Sequence, residues 1–234
     1  MLGFRADPSV DLGLLALVLA YARLARTAGT FRRPRGVWFV AGVATVWVAL
    51  ESPLDPLGDG YLQSAHMVQH MLLMTVAAPL LLLGLTPPMA AWVFRLRGVR
   101  HLTHPVFAQC AAALVVVAWH LPGPYDVALG NDAVHIVEHL SFLVAGVLYW
   151  APLVDATSAH ATTPLSQPQR LVYMLAGAFP MMGVALALQF SHELFYPAYA
   201  HVPRILPGIS PLTDQIIAGA VMMVMDMGSN GIGW

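Results

Sequence analysis

Residues 64 to 85 read SAHMVQHMLLMTVAAPLLLLGL. The run carries no formal charge, and at a rise of about 1.5 Å per residue it has the roughly 20 residues needed to cross the hydrocarbon core of a bilayer. It predicts a transmembrane helix. Its first half is unlike ordinary lipid-facing sequence. His66 and His70 stand four apart and share a helical face, and Met67, Met71 and Met74 form an adjoining stripe at spacings of four and three. Imidazole and thioether are thus offered side by side. Polar groups at membrane depth are costly and point into a bundle or cavity, so the two histidines are functional candidates. The three methionines alone are better explained as adaptable packing.

Outward from this run, the 234-residue chain is 58% hydrophobic and only 10% charged, with no lysine among its basic residues. Repeated apolar runs of spanning length predict an all-α, polytopic transmembrane bundle forming one domain over residues 1 to 234. Seven segments stand out: 10–25, 36–50, 64–85, 106–121, 133–154, 170–190, and 212 onward. The last carries Asp226 and ends in GSNGIGW, which predicts an irregular end. The N-terminus has no basic n-region leading into a short apolar stretch and a small-residue cleavage site, so the first run reads as a retained span. The single cysteine, Cys110, allows no intrachain disulfide and no CxxC motif, so any metal must rest on His, Met and carboxylates. A net charge of −1 gives no basis for nucleic-acid binding. The expected surroundings are the lipid bilayer, and the sequence leaves association of copies into a homo-oligomer open.

Orientation follows from arginine. Arg23, Arg26, Arg32, Arg33 and Arg35 lie between the first two segments, and Arg95, Arg97 and Arg100 follow the third. The positive-inside rule puts both connections in the cytoplasm, together with Arg170, and leaves Arg5 and Arg204 outside. The acidic, Pro- and Gly-rich connection 51–59 and the stretch 122–132 then face outward. The N-terminus is expected outside and the C-terminus inside, in a bacterial cytoplasmic membrane.

This orientation gathers the histidines. The third, fifth and seventh segments enter from outside, which puts His66 and His70 at the level of His135, His139 and Asp214; the fourth ends outward at His120. His192 and His201 fall in the last outer connection, while His101, His104 and His160 fall inside. Each same-face pair offers two nitrogen donors from one turn, and two such helices side by side could surround one metal or a close pair. Imidazole suits copper, zinc, iron and nickel, whereas thioether favours Cu(I). The neighbouring methionines tilt the expectation to copper. The expected ligands are His66, His70, His135 and His139, with His120, Met71 and Asp214 completing or orienting the site.

Two other chemistries compete. His135-Ile-Val-Glu138-His139 matches the H-x-x-E-H pattern of inverted zinc peptidases, in which two histidines hold zinc and the glutamate is general base. That would make the protein an intramembrane zinc hydrolase, with no role for His66 and His70. A proton or solute transporter using the histidines as titrating groups is the third reading. Haem fits poorly, because histidines one turn apart lie only about 6 Å from each other.

The assembled strings resemble the CtaG family of cytochrome c oxidase assembly factors, the multi-span kind associated with caa-type oxidases. They are Ser64-Ala-His-Met-Val-Gln-His-Met-Leu-Leu-Met74, Trp119-His-Leu-Pro-Gly-Pro-Tyr-Asp126, His135-Ile-Val-Glu-His-Leu140 with Tyr149-Trp150, Tyr196-Pro-Ala-Tyr199, and Asp214-Gln215. They occur in order from the third segment onward. The resemblance implies a helical membrane protein that supports oxidase maturation by handling copper. A respiratory oxidase subunit would be the acceptor, and the protein would be no enzyme. It also departs from that family's pattern at Met222-Met223, where a tryptophan usually follows the first methionine.

Overall fold

Proline and glycine divide the apolar sequence into twelve helices in a computed structural model that describes residues 3–4, 6–30, 35–161 and 163–231. Arg5, Arg32, Arg33 and the closing residues 232–234 lie outside the described residues. The helices are α1 (Pro8–Thr27), α2 (Gly36–Glu51), α3 (Leu54–Gly60), α4 (Gln63–Leu83), α5 (Pro87–Val93), α6 (Arg97–Leu102), α7 (Pro105–Trp119), α8 (Pro122–Leu129), α9 (Asp132–Trp150), α10 (Asp155–Ser158), α11 (Gln167–Phe190) and α12 (Pro211–Gly231). No strand occurs among the described residues. Starts are set by local chemistry: Asp7 caps α1 through the Ser9 amide at 2.7 Å, and Asn131 caps α9 through the amides of Ala133 and Val134.

Four helices (α1, α4, α9 and α11) are long and apolar enough to cross a membrane, and six spans result if each of two bent pairs counts as one. The pairs are α2 with α3, bent by 43°, and α7 with α8, bent by 73°. Both breaks fall before a proline, whose ring pushes the preceding residue out of helical geometry. Ser52 before Pro53 and Leu121 before Pro122 are accordingly extended, with ψ of 172° and 139°. The seventh expected segment forms α12 but is not among the helices apolar enough to cross. As far as Gly231 it is regular helix, with Asp226 absorbed within it: the Asp226 backbone carbonyl accepts from Ser229 Oγ at 2.9 Å and its side chain from Asn230 Nδ2 at 3.2 Å, while residues 232–234 of the expected irregular end lie outside the described residues.

Helix α4 is the axis of the bundle. It packs on α2, α3, α9 and α12, and 72% of its spanning window is buried, against 6% for α1 at the periphery. Midway along α4 the backbone widens into a π turn over Leu72–Ala77, where the Ala78 amide donates to the Leu73 carbonyl five residues back. The cause is Pro79, which has no N–H and whose ring would collide with the carbonyl one normal turn earlier. The carbonyl of Met74 is left without a partner from its own helix, and Trp150 Nε1 of α9 donates to it at 3.0 Å. Close approach requires Gly146 on α9, where a Cβ would stand 2.7 Å from that carbonyl. The widened turn, the proline and the α9 seam therefore form one device that locks the two histidine-bearing helices together.

Candidate metal centre

The end of α3, the starts of α4, α9 and α12 and the end of α7 meet at one end of the bundle. Short contacts define this meeting. Asp214 of α12 accepts hydrogen bonds from the Ser64 hydroxyl and amide at the start of α4. His120, just past α7, places Nε2 at 3.2 Å from the Met67 sulfur and Nδ1 at 2.7 Å from the Val116 carbonyl. Tyr196 and Tyr199, on the connection between α11 and α12, donate to the carbonyls of His120 at 2.9 Å and Gly58 at 2.7 Å. Burial pushes both phenols up, so they remain neutral donors and hold the connection over the cluster.

Inside this frame, His66, His135, Glu138 and His139 each offer one donor atom, and these atoms lie within 4.8 Å of one another. Glu138 occupies the middle: Oε2 is 3.6 Å from His66 Nε2, and Oε1 is 3.6 Å from His70 Nε2. His66 reaches the other way as well, with Nδ1 at 3.7 Å from Asp59 Oδ1, and the same carboxylate oxygen is 3.4 Å from His135 Nε2. The rings are held by packing. Phe142 stacks on His70 with centroids 4.1 Å apart, and Tyr125 flanks His66 at 5.2 Å. Access falls off inward: Asp59 is 33% exposed, His135 14%, and His66 and Glu138 fully buried.

The hydrogen-bond accounting of this cluster is unusual. Asp59 Oδ1, both ring nitrogens of His66 and of His70, His135 Nε2, both oxygens of Glu138 and His139 Nε2 have no hydrogen-bond partner among the protein's groups. Buried polar atoms are rarely left so, since each unpaired group costs about 1–3 kcal/mol and an ionised carboxylate more. The separations explain it. Nitrogen and oxygen atoms 3.4 to 3.7 Å apart are too far for good hydrogen bonds. They match ligands on adjacent corners of a tetrahedral ion, which lie about 3.3 Å apart when metal–nitrogen distances are ≈ 2.0–2.1 Å. Imidazole nitrogens and carboxylate oxygens suit a first-row transition metal.

Over residues 15–233 the chain matches the family description of the cytochrome c oxidase caa3 assembly factor. The chain belongs to this family. The match takes in every element that builds the cluster, from α3 to α12. No curated protein and no solved structure matches it. This family member is therefore an apolar helical protein of the membrane, tied to an oxidase by family and equipped with a histidine and carboxylate cluster that could hold a metal ion.

Among the residues expected from sequence, the assembly factor brings His66, His70, His135 and His139 together. His120 sits at the edge, its ring 6.0 Å from that of His70. Met71 is buried in the apolar core beside Met67 and Met74, and it is Met67 whose sulfur lies against His120. Asp214 joins α12 to α4 through Ser64 instead of entering the cluster. His192 and His201 are exposed on their connection. Two contributors were not among the ligands expected from sequence. Glu138 entered there as the general base of the hydrolase reading, and it stands between the rings of His66 and His70. Asp59 counted only as a topological charge in an acidic connection. Gly58 is the signal that could have found it: a Cβ there would collide with the Gln69 side chain and the His66 backbone, so the glycine lets α3 lie on α4 and carries Asp59 to the histidines.

Proposed function

We propose that this assembly factor holds copper in the His66, His70, His135, Glu138 and His139 cluster and passes it to a subunit of the maturing oxidase. The observation that carries the reading is the concentration of unpartnered buried nitrogen and oxygen atoms around Glu138. Copper is favoured over zinc by the thioether beside the cluster, Met67 against His120. The family supplies the acceptor's class. Metal analysis of the purified protein tests the proposal: the paired change His66→Ala and His70→Ala should abolish copper retention. Copper kept at full stoichiometry in that variant would sink it.

The zinc-hydrolase reading loses ground on one detail. A peptidase base must face a water on the metal, whereas both oxygens of Glu138 are buried against histidine nitrogens. Glu138→Gln should accordingly weaken metal binding itself, where a hydrolase would keep its metal and lose only turnover.

The proposed orientation follows the arginines and puts the cluster toward the external face of a bacterial cytoplasmic membrane, with seven spans if α12 also crosses. A cation leaving toward the other face would have to pass the apolar halves of α4 and α9, such as Leu80 to Leu83, at a large desolvation cost. We therefore expect loading and release on one side. In vesicles of known sidedness, an impermeant Cu(I) chelator should strip copper from the external side only. Equal removal from the cytoplasmic side would point to a transmembrane pump.

A further inference from the structure

His66 faces a carboxylate at each of its two nitrogens. Nδ1 is 3.7 Å from Asp59 Oδ1 and Nε2 is 3.6 Å from Glu138 Oε2, on opposite edges of one fully buried ring. Neither nitrogen has a hydrogen-bond partner among the protein's groups, and neither do the facing oxygens. A single ion beside Glu138 would satisfy only one edge. The other edge still has its own second nitrogen, since His135 Nε2 lies 3.4 Å from the same Asp59 oxygen. The two groups of donors also differ in access, because Asp59 and His135 are partly exposed while Glu138 and His70 are sealed.

We propose that the cluster has two cation positions sharing His66, an inference that rests on the metal-site reading above and extends it. The accessible position is formed by Asp59, His66 Nδ1 and His135. The sealed position is formed by His66 Nε2, Glu138, His70 and His139. A neutral imidazole has one free lone pair, so the second cation displaces the remaining N–H proton to solvent past Asp59, leaving an imidazolate bridge. Asp59 thus belongs to a loading position, one imidazole away from the sealed position. Gly58 and the Tyr199 hydrogen bond to its carbonyl fix α3 at the distance this needs.

The test uses the full chain in detergent, loaded with Cu(II) alone and freed of excess. Wild type should retain two copper ions per chain, and the integrated electron paramagnetic resonance signal should fall below the copper count because the shared ring couples the two spins. Asp59→Asn should retain one ion whose signal equals its copper content. One ion in wild type, undiminished in Asp59→Asn, would overturn the second position while leaving the metal site standing. No copper in wild type would overturn the metal-site reading itself. If Asp59→Asn does not fold, the spin-to-copper ratio of wild type decides, and a ratio of one spin per copper in a two-copper protein refutes the bridge.

Discussion

Two stretches of α4, its start and its π turn, solve the same problem in opposite ways. Beside the π turn lies a cavity of about 20 Å³, room for a single water molecule, lined in part by Thr75, Gln109, Tyr149 and Asp226. Polar atoms there have local partners: the Thr75 hydroxyl donates to the Met71 carbonyl at 2.7 Å, and Asp226 accepts from Asn230. The buried Tyr149 hydroxyl lacks one among the described residues, and Tyr149 lines the space a water would fill. At the start of α4, the Glu138 carboxylate and ring nitrogens of four imidazoles stand together without such local bonds. A buried polar group made safe by its own helix is structural. Several left open toward a common centre call for an ion.

Breaking the open cluster should have the largest effect. Replacing Glu138 by Ala removes the oxygens facing both His66 and His70, and we expect copper affinity to fall by more than about 100-fold in competition with a chelator. An unchanged affinity would reduce the cluster to packing. Next comes the seam that carries Asp59. Gly58→Ala forces α3 off α4 and should cost about 1–3 kcal/mol by overpacking, read as a lower melting temperature of the apoprotein. Trp150→Phe leaves the Met74 carbonyl unpaired and should destabilise the apoprotein by a comparable or smaller amount, about 1–3 kcal/mol. Its copper stoichiometry should stay intact if the π turn keeps its shape. The smallest effect sharpens the comparison most. Asp226→Asn, in the satisfied stretch, should leave copper stoichiometry and affinity unchanged, and a loss there would mean that the two stretches are coupled.

Much of this was legible in the sequence, for identifiable reasons. Helical periodicity is local, so the same-face pairs His66/His70 and His135/His139 could be matched by depth before any contact was known. Asp59 could not be placed that way, because its position depends on the bend at Ser52 and Pro53 and on the room left by Gly58, which act between segments. Met71 was favoured over Met67 for the converse reason. Helical spacing gives a face to within a residue, and the π turn and the neighbouring helix decide which sulfur meets which ring. The span count turns on proline as well, since segments 36–50 and 106–121 form helices that reach spanning length only with the short helices bent from them by 43° and 73°.

The π turn of α4 has a consequence for how this protein can vary. One additional residue in a helix advances everything beyond it by about 100° around the axis. The widened turn absorbs such a residue, so the histidine half of α4 and the half that packs on α2 keep their facing although one residue more lies between them than in a uniform helix. Deleting one residue between Leu72 and Ala77 should therefore leave His66 and His70 facing α9, whereas a deletion in the regular turn before it would swing them away by about 100°. The turn is a phase buffer: it lets the count of residues between the ligands and the α9 seam change by one without re-aiming either.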